Sequence, residues 1–149
     1  MNENPSVRLG ASGWINPAWQ GSFYPVDMPE DWHLTFFNTQ FNCVYLDQSF
    51  WRNAHAEEWA RWHADTHEMF LFLLEGDGPV PEELVGKALM IQPDDASILW
   101  FSRESSLREL ATSLSAGAIG KPFYLISQDG DLGQIERVAT LLEVMGLGL

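Results

Sequence analysis

Short apolar runs alternate with helix-like segments along the chain, and this alternation limits the possible folds more than any other feature. The strand-like runs are residues 7–12, 42–47, 68–75, 97–102 and 122–127. The segments between them carry helix signals, namely polar or acidic starts and apolar residues spaced three and four apart. The pattern predicts an α/β fold with a mainly parallel sheet of about five strands and helical crossovers.

The helix starts are the best-marked boundaries in the sequence. Residues 29–40 open with proline and two acidic residues, which are typical of a first helical turn. Residues 54–65 carry apolar side chains on one helical face. Two further helices are predicted to begin near Ser106 and Asp131, which are residue types that cap helix N-termini.

Residues 79–96 leave two alternatives open. Pro81 and the two glutamates after it favour a short helix. The turn-forming residues Pro93, Asp94 and Asp95 instead favour a hairpin that joins the apolar runs on either side of them.

Composition excludes several classes of protein. The 149 residues are 46% hydrophobic and 19% charged, which predicts one globular domain over residues 1–149. Eight basic residues against 21 acidic ones give a formal charge of −13. This charge repels phosphate backbones, so we expect no nucleic-acid partner.

Cys43 is the sole cysteine, and we expect a buried, unreactive thiol rather than a disulfide or a zinc ligand.

The sequence also contains no signal-peptide pattern and no apolar run of the roughly 18 residues that suggest a membrane span. The prediction is therefore a cytoplasmic protein with no membrane partner.

Three sequence blocks follow one another in the first half of the chain. They are LGASGW at 9–14, WQGSFYP at 19–25 and FNTQFNCVYLDQSFWR at 37–52. In this order they resemble the YecE-like family, known as domain of unknown function 72, over about residues 8–75. The resemblance implies a barrel of eight strand–helix units, which needs about 250 residues. This chain has room for about five units, so we expect a shortened, divergent member that forms a partial TIM barrel.

Three positions depart from the family pattern. Tyr45 stands where the pattern has Glu, Asp47 where it has Asn, and Glu75 where it has Lys. The last exchange inverts a charge, so a pocket that binds an anion in relatives would repel one here. We expect this chain to bind a different ligand from its relatives, or none.

Ligands of parallel α/β sheets bind where the strands end, and this predicts the candidate site. The candidate ligand-binding residues at these ends and in the opening loop are Ser12, Trp14, Trp19, Asp47, Ser49, Trp51, Arg52 and Glu75. Two interpretations of the tryptophan rings stay open. The rings either line a ligand pocket or form the hydrophobic core of the opening loop itself. Arg52 is likewise predicted to pair either with Asp47 or with a substrate carboxylate.

Four carboxylates at the predicted strand ends suggest a divalent cation such as Mg²⁺. They are Asp47, Glu75, Asp77 and Asp129. The alternative is that these residues only cap the helices that follow.

Two hypotheses for function result, and the sequence leaves open whether the protein is an enzyme. The preferred one is a non-catalytic binding or assembly protein that takes a small-molecule ligand. The alternative is a small metal-assisted hydrolase with an acidic site. Because a partial barrel has two edge strands, we also expect a homo-dimer.

Overall fold

A computed structural model describes residues 7–117 and 122–147 of the chain. Within these residues, six parallel strands form one sheet in the order β4-β3-β2-β1-β6-β5. The strands are β1 Val7–Ser12, β2 Cys43–Leu46, β3 Leu71–Glu75, β4 Ala88–Ile91, β5 Ile98–Phe101 and β6 Phe123–Ser127. The α-helices are α1 His33–Gln40, α2 Gln48–Arg52, α3 Ala56–Ala64, α4 Leu107–Gly117 and α5 Leu132–Val144. Short 3₁₀ turns occupy Pro17–Trp19, Glu30–Trp32 and Glu82–Leu84.

The structure confirms the α/β class, the parallel sheet and all five predicted strands. Two of the predicted helix caps are also confirmed. The Ser106 hydroxyl accepts a hydrogen bond from the Glu109 N–H (3.2 Å), and Asp131 Oδ1 accepts one from the Gln134 N–H (2.9 Å). None of the described helices is long and apolar enough to cross a membrane.

The sixth strand overturns the helix alternative for residues 79–96 and corrects the pairing in the hairpin alternative, which did have a strand at the apolar run before Pro93. The helical signal at Pro81 yields only the turn Glu82–Leu84, and Gly86, with φ of +90°, follows this turn in the left-handed region. The apolar run after it forms β4, which pairs in parallel with β3. Since β5 pairs with β6, the predicted hairpin does not form. Pairing with the buried strand β3 therefore outweighs the local helix signal.

The connection between β4 and β5 requires the sheet to curl. The two strands lie at opposite edges of the sheet, yet residues 92–97 alone join them. In a flat sheet, this connection would have to cross five interstrand spacings and also return to the amino end of a parallel strand. The distance to be spanned would then be about 26 Å. The connection contains two successive turns, closed by the Asp95 N–H on the Gln92 carbonyl and the Ile98 N–H on the Asp95 carbonyl. Its reach is therefore at most about 18 Å, and the sheet closes into a half-barrel.

Side chains from five strands fill the inside of this half-barrel. The buried members of the interior cluster are Cys43, Tyr45, Leu73, Ile91, Ile98, Tyr124 and Ile126. The rings of Tyr45 and Trp100 meet edge to face, with centroids 4.8 Å apart, although β2 and β5 are not hydrogen-bonded neighbours. Cys43 is a free, fully buried thiol, which confirms the prediction of a buried cysteine, and its burial raises the pKa of the thiol to about 12.

Polar contacts hold the short connection against the interior. The Trp100 indole N–H donates to the Pro93 carbonyl (2.8 Å). Asp95 Oδ1 accepts from the Ser97 N–H (2.8 Å) and from the Ser97 hydroxyl (2.6 Å), and these bonds lower the pKa of the Asp95 carboxyl.

The outer face of the sheet packs against the helices in a second, larger core. Strand residues Val44 and Phe72 meet helix residues such as Phe37, Leu114 and Val138, all of them fully buried. The sheet is therefore covered on its outer side by helices and filled on its inner side by its own residues.

Gly10 lies where the curled interior has no room for a side chain. A Cβ at this position would lie 2.2 Å from the Cys43 carbonyl oxygen, on the neighbouring strand. We predict that Gly10→Ala lowers the free energy of unfolding by about 1–3 kcal/mol, because backbone must shift to admit the methyl group. Chemical denaturation measures this change.

The matched control is Gly133→Ala in helix α5, where a Cβ would meet its nearest atoms at 3.5 and 3.6 Å, which is ordinary contact. This variant should keep or slightly raise stability, since alanine is the better helix former. Equal, small effects of the two substitutions would show that the interior is not as narrow as described.

Candidate ligand-binding site

A cavity of about 120 Å³ opens at the carboxyl ends of β1 and β2. We call this end of the half-barrel, where all six strands finish, the mouth. The residues that line the cavity are Ser12, Gly13, Trp14, Ile15, Tyr45, Leu46, Asp47 and Phe50. It thus combines three aromatic rings and aliphatic side chains with one carboxylate and two hydroxyl groups, those of Ser12 and Tyr45.

Two turns shape the cavity. Gly13 follows β1 with φ of +82°, a conformation that suits glycine, and its N–H donates to the Tyr45 carbonyl (2.9 Å). Across the cavity, Asp47 caps helix α2, where its Oδ1 accepts from the Phe50 N–H (2.8 Å) and the Ser49 hydroxyl (2.7 Å). The first turn directs the chain out of the sheet, and the second fixes Asp47 and Phe50 on the opposite wall.

Tyr45 and Glu75 form a hydrogen-bonded pair beside the cavity. The Tyr45 hydroxyl donates to Glu75 Oε2 (2.6 Å), and the Gln48 N–H donates to Glu75 Oε1 (3.2 Å). Burial raises the pKa of Tyr45 above its usual range and is the largest cause of the shift. The bond to Glu75 and the charges of Glu75 and Asp47 raise this pKa further. Tyr45 is therefore a neutral donor near neutral pH. Two of the three departures from the family pattern are thus direct partners.

Arg52 does not pair with Asp47. Its guanidinium carbon lies 4.7 Å from the centroid of the Trp51 ring, and its Nη2 donates to the Asp77 carbonyl (3.0 Å). The Trp51 indole N–H in turn donates to the Glu75 carbonyl (2.9 Å). Arg52 and Trp51 therefore support the turn after β3, and the predicted ion pair is wrong.

The rings of the opening loop divide between the two interpretations. Trp14 lines the cavity but is only 6% exposed, and it packs edge to face against Phe50 and Trp62. Trp19 is 2% exposed, lies outside the cavity lining, and donates its indole N–H to the Gly130 carbonyl (2.8 Å). Its ring stacks on Phe37 in the outer core. Trp19 therefore belongs to the core, whereas Trp14 belongs to both the core and the cavity wall.

The four carboxylates predicted for a cation do not come together. Over residues 7–117 and 122–147, no group of three or more His, Cys, Asp or Glu side chains is placed to hold a metal ion. Asp129, for example, accepts hydrogen bonds from the Arg103 N–H (2.8 Å) and the Asp131 N–H (3.1 Å). Asp47 does cap the helix that follows it, as the alternative predicted, whereas Asp129 binds amides of two loops and caps none of the described helices.

The structure brings three predicted residues, Ser12, Trp14 and Asp47, to one cavity. Glu75 lies beside it through Tyr45, and Ser49 supports Asp47. Sequence reasoning missed Tyr45 and Phe50 as site residues. The sequence did contain a signal for Tyr45. The residue lies near the end of a predicted strand, and it differs from the residue that the family pattern has there.

Comparison with known proteins confirms the family resemblance. The family model described as a protein of unknown function, DUF72, matches residues 8–83, just over half of the chain. A solved DUF72 family protein from Thermotoga maritima is 14% identical, with a TM-score of 0.44 over 95% of this chain. The chain spans 62% of the length of that protein. No curated protein sequence matches the chain.

Removing the Tyr45 hydroxyl tests the pair with Glu75. We predict that Tyr45→Phe lowers the free energy of unfolding by about 2 kcal/mol, because a buried donor to a carboxylate is lost. Tyr124→Phe is the control, since Tyr124 is another buried interior tyrosine whose hydroxyl has no hydrogen-bond partner among the described side chains. Equal losses in the two variants on urea denaturation would contradict a specific role for the pair.

Proposed function

This chain belongs to the DUF72 family, and we propose that it is a non-catalytic binding protein that holds a small ligand in the mouth cavity. The observation that carries the proposal is that the carboxylates at the mouth accept hydrogen bonds from neighbouring residues of the chain. Glu75 accepts from Tyr45 and Gln48, and Asp47 accepts from Phe50 and Ser49. These groups stabilise the cavity walls.

The raised pKa of Tyr45 supports binding over proton transfer by this residue. General acid–base catalysis favours a group whose pKa lies near the working pH. Tyr45 has a raised pKa, and none of the eight residues described around the cavity is His, Lys or Cys. The cavity therefore offers shape and hydrogen-bonding groups, and the hydroxyl of Tyr45 stays protonated near neutral pH.

The size of the cavity limits the ligand. Sites for drug-sized molecules have volumes of about 300–1,000 Å³. A cavity of about 120 Å³ suits a smaller ligand or one end of a larger one. The backbone bond from Gly13 to Tyr45 and the cap at Asp47 hold its walls in place.

The proposal predicts that small molecules bind at the mouth. In ¹⁵N–¹H spectra, a set of neutral and charged fragments of four to six heavy atoms should include members that shift the amides of Gly13, Ile15 and Asp47. A Ser12→Trp variant, which places an indole at the cavity wall, should abolish those shifts. The proposal fails if the fragments leave these amides unmoved or if shifts persist unchanged in the Ser12→Trp variant.

The hydrolase alternative has its own signature. Mg²⁺, Mn²⁺ or Ca²⁺ would raise the melting temperature of the protein, since specific binding stabilises the folded state. Such stabilisation, if removed by Asp47→Asn, would support a metal-assisted hydrolase over the binding protein proposed here.

A second part of the proposal concerns assembly. Strands β4 and β5 each have one hydrogen-bonded neighbour within the described sheet, and edges unpaired on one side favour pairing between chains. We predict a homo-dimer, for which light scattering should give about twice the 16.9 kDa mass of the chain. A purely monomeric mass at high protein concentration would contradict this part and leave the cavity proposal unaffected.

A further inference from the structure

We infer that the mouth cavity binds a small organic cation, an alkylammonium group, through Asp47, Ser12 and the rings of Trp14 and Phe50. The inference rests on the proposed function and deepens it, because it assigns the chemical class of the ligand. Three features of the cavity carry it, namely its charge, its walls and its hydrogen-bonding groups.

The charge of the lining selects against anions. Asp47 is the single charged residue among the eight that are described around the cavity, and none of them is basic. The Glu75 carboxylate adds a second negative charge 2.6 Å from the Tyr45 hydroxyl. Arg52, the basic side chain on helix α2, instead lies against Trp51 and the Asp77 carbonyl. An anionic ligand would meet these carboxylates with no cation in the cavity wall to offset them.

The walls suit the apolar part of an alkylammonium ion. Trp14 and Phe50 form an edge-to-face pair with centroids 5.5 Å apart, and Ile15 is 51% exposed beside them. Aromatic rings attract cations through the negative potential of their faces, while they also bury alkyl groups. A bare metal ion would gain little from such walls, since hard divalent cations prefer a full shell of oxygen ligands.

The polar groups can satisfy an ammonium. Asp47 uses Oδ1 for Phe50 and Ser49, and Oδ2 has no hydrogen-bond partner among the described residues. Ser12, at the end of β1, adds a hydroxyl group to the same cavity. A primary ammonium donates up to three hydrogen bonds, and a bond from an ion to a carboxylate is stronger than one between neutral groups.

A set of three probes of nearly equal shape tests the inference. They are tert-butylammonium, tert-butanol and trimethylacetate, which place a cation, a neutral hydroxyl and an anion on the same alkyl group. Titration in ¹⁵N–¹H spectra should show tert-butylammonium shifting the amides of Gly13, Ile15 and Asp47 at lower concentration than tert-butanol. Trimethylacetate should leave these amides unmoved.

Two variants separate the cavity from the acidic surface. Asp47→Asn should weaken tert-butylammonium binding about tenfold, through the loss of one charged hydrogen bond. Asparagine also caps helices well, so α2 should remain intact. Asp94→Asn removes the same charge from an exposed position on the β4–β5 connection, outside the cavity, and should leave binding unchanged.

The outcomes distinguish this inference from the proposed function. If tert-butanol or trimethylacetate shifts the cavity amides as readily as the ammonium does, the cation assignment is wrong and the binding function stands. If the two variants weaken ammonium binding equally, the cation only collects at the acidic surface and the assignment is wrong. If no probe moves the cavity amides and the fragment set also fails there, both the assignment and the proposed function are wrong.

Discussion

The short connection between β4 and β5 is the constraint on which the rest of the structure depends. Two turns limit its reach, so the strands at opposite edges of the sheet must approach each other. A sheet of six strands that curls this tightly encloses a narrow interior. The narrow interior explains why Gly10 has no room for a side chain and why Tyr45 on β2 reaches Trp100 on β5.

The curl also determines the character of the mouth. Tyr45 extends from the interior to the mouth, where it contacts Glu75 and helps to line the cavity. At these two positions the family pattern that the sequence resembles has a glutamate and a lysine. This chain instead has a phenol and a carboxylate, which bond to each other, and it lacks the positive charge of the lysine. A change of ligand class is the chemical consequence that we propose.

Much of the fold could be predicted because its signals are local. The strands β1, β2 and β6 are short apolar runs bounded by polar or turn-forming residues, and this local pattern identifies them. Strand β4 was predicted only in the hairpin alternative, which paired it with the run at 97–102. Its actual parallel pairing with β3 has no local signal. Local patterns do not contain that information.

The site was less predictable, because its contacts join distant parts of the chain. The placement of Ser12 and Asp47 at one mouth followed from the parallel order of the strands. The partner of Arg52 did not, since a backbone carbonyl at Asp77 gives no sequence signal. Trp19 was equally ambiguous, because a tryptophan after a strand end can line a pocket or pack in the core. Its partner, the Gly130 carbonyl, lies 111 residues away.

The most direct test of this account is a nuclear Overhauser measurement between the Tyr45 and Trp100 rings. Their centroids are 4.8 Å apart across the inside of the half-barrel, so strong cross-peaks between their ring protons are expected. Both rings should also show cross-peaks to methyl groups of the interior cluster. A Trp100 ring with no cross-peak to Tyr45 would show that the sheet does not close as described, and the cavity at its mouth would lose its structural basis.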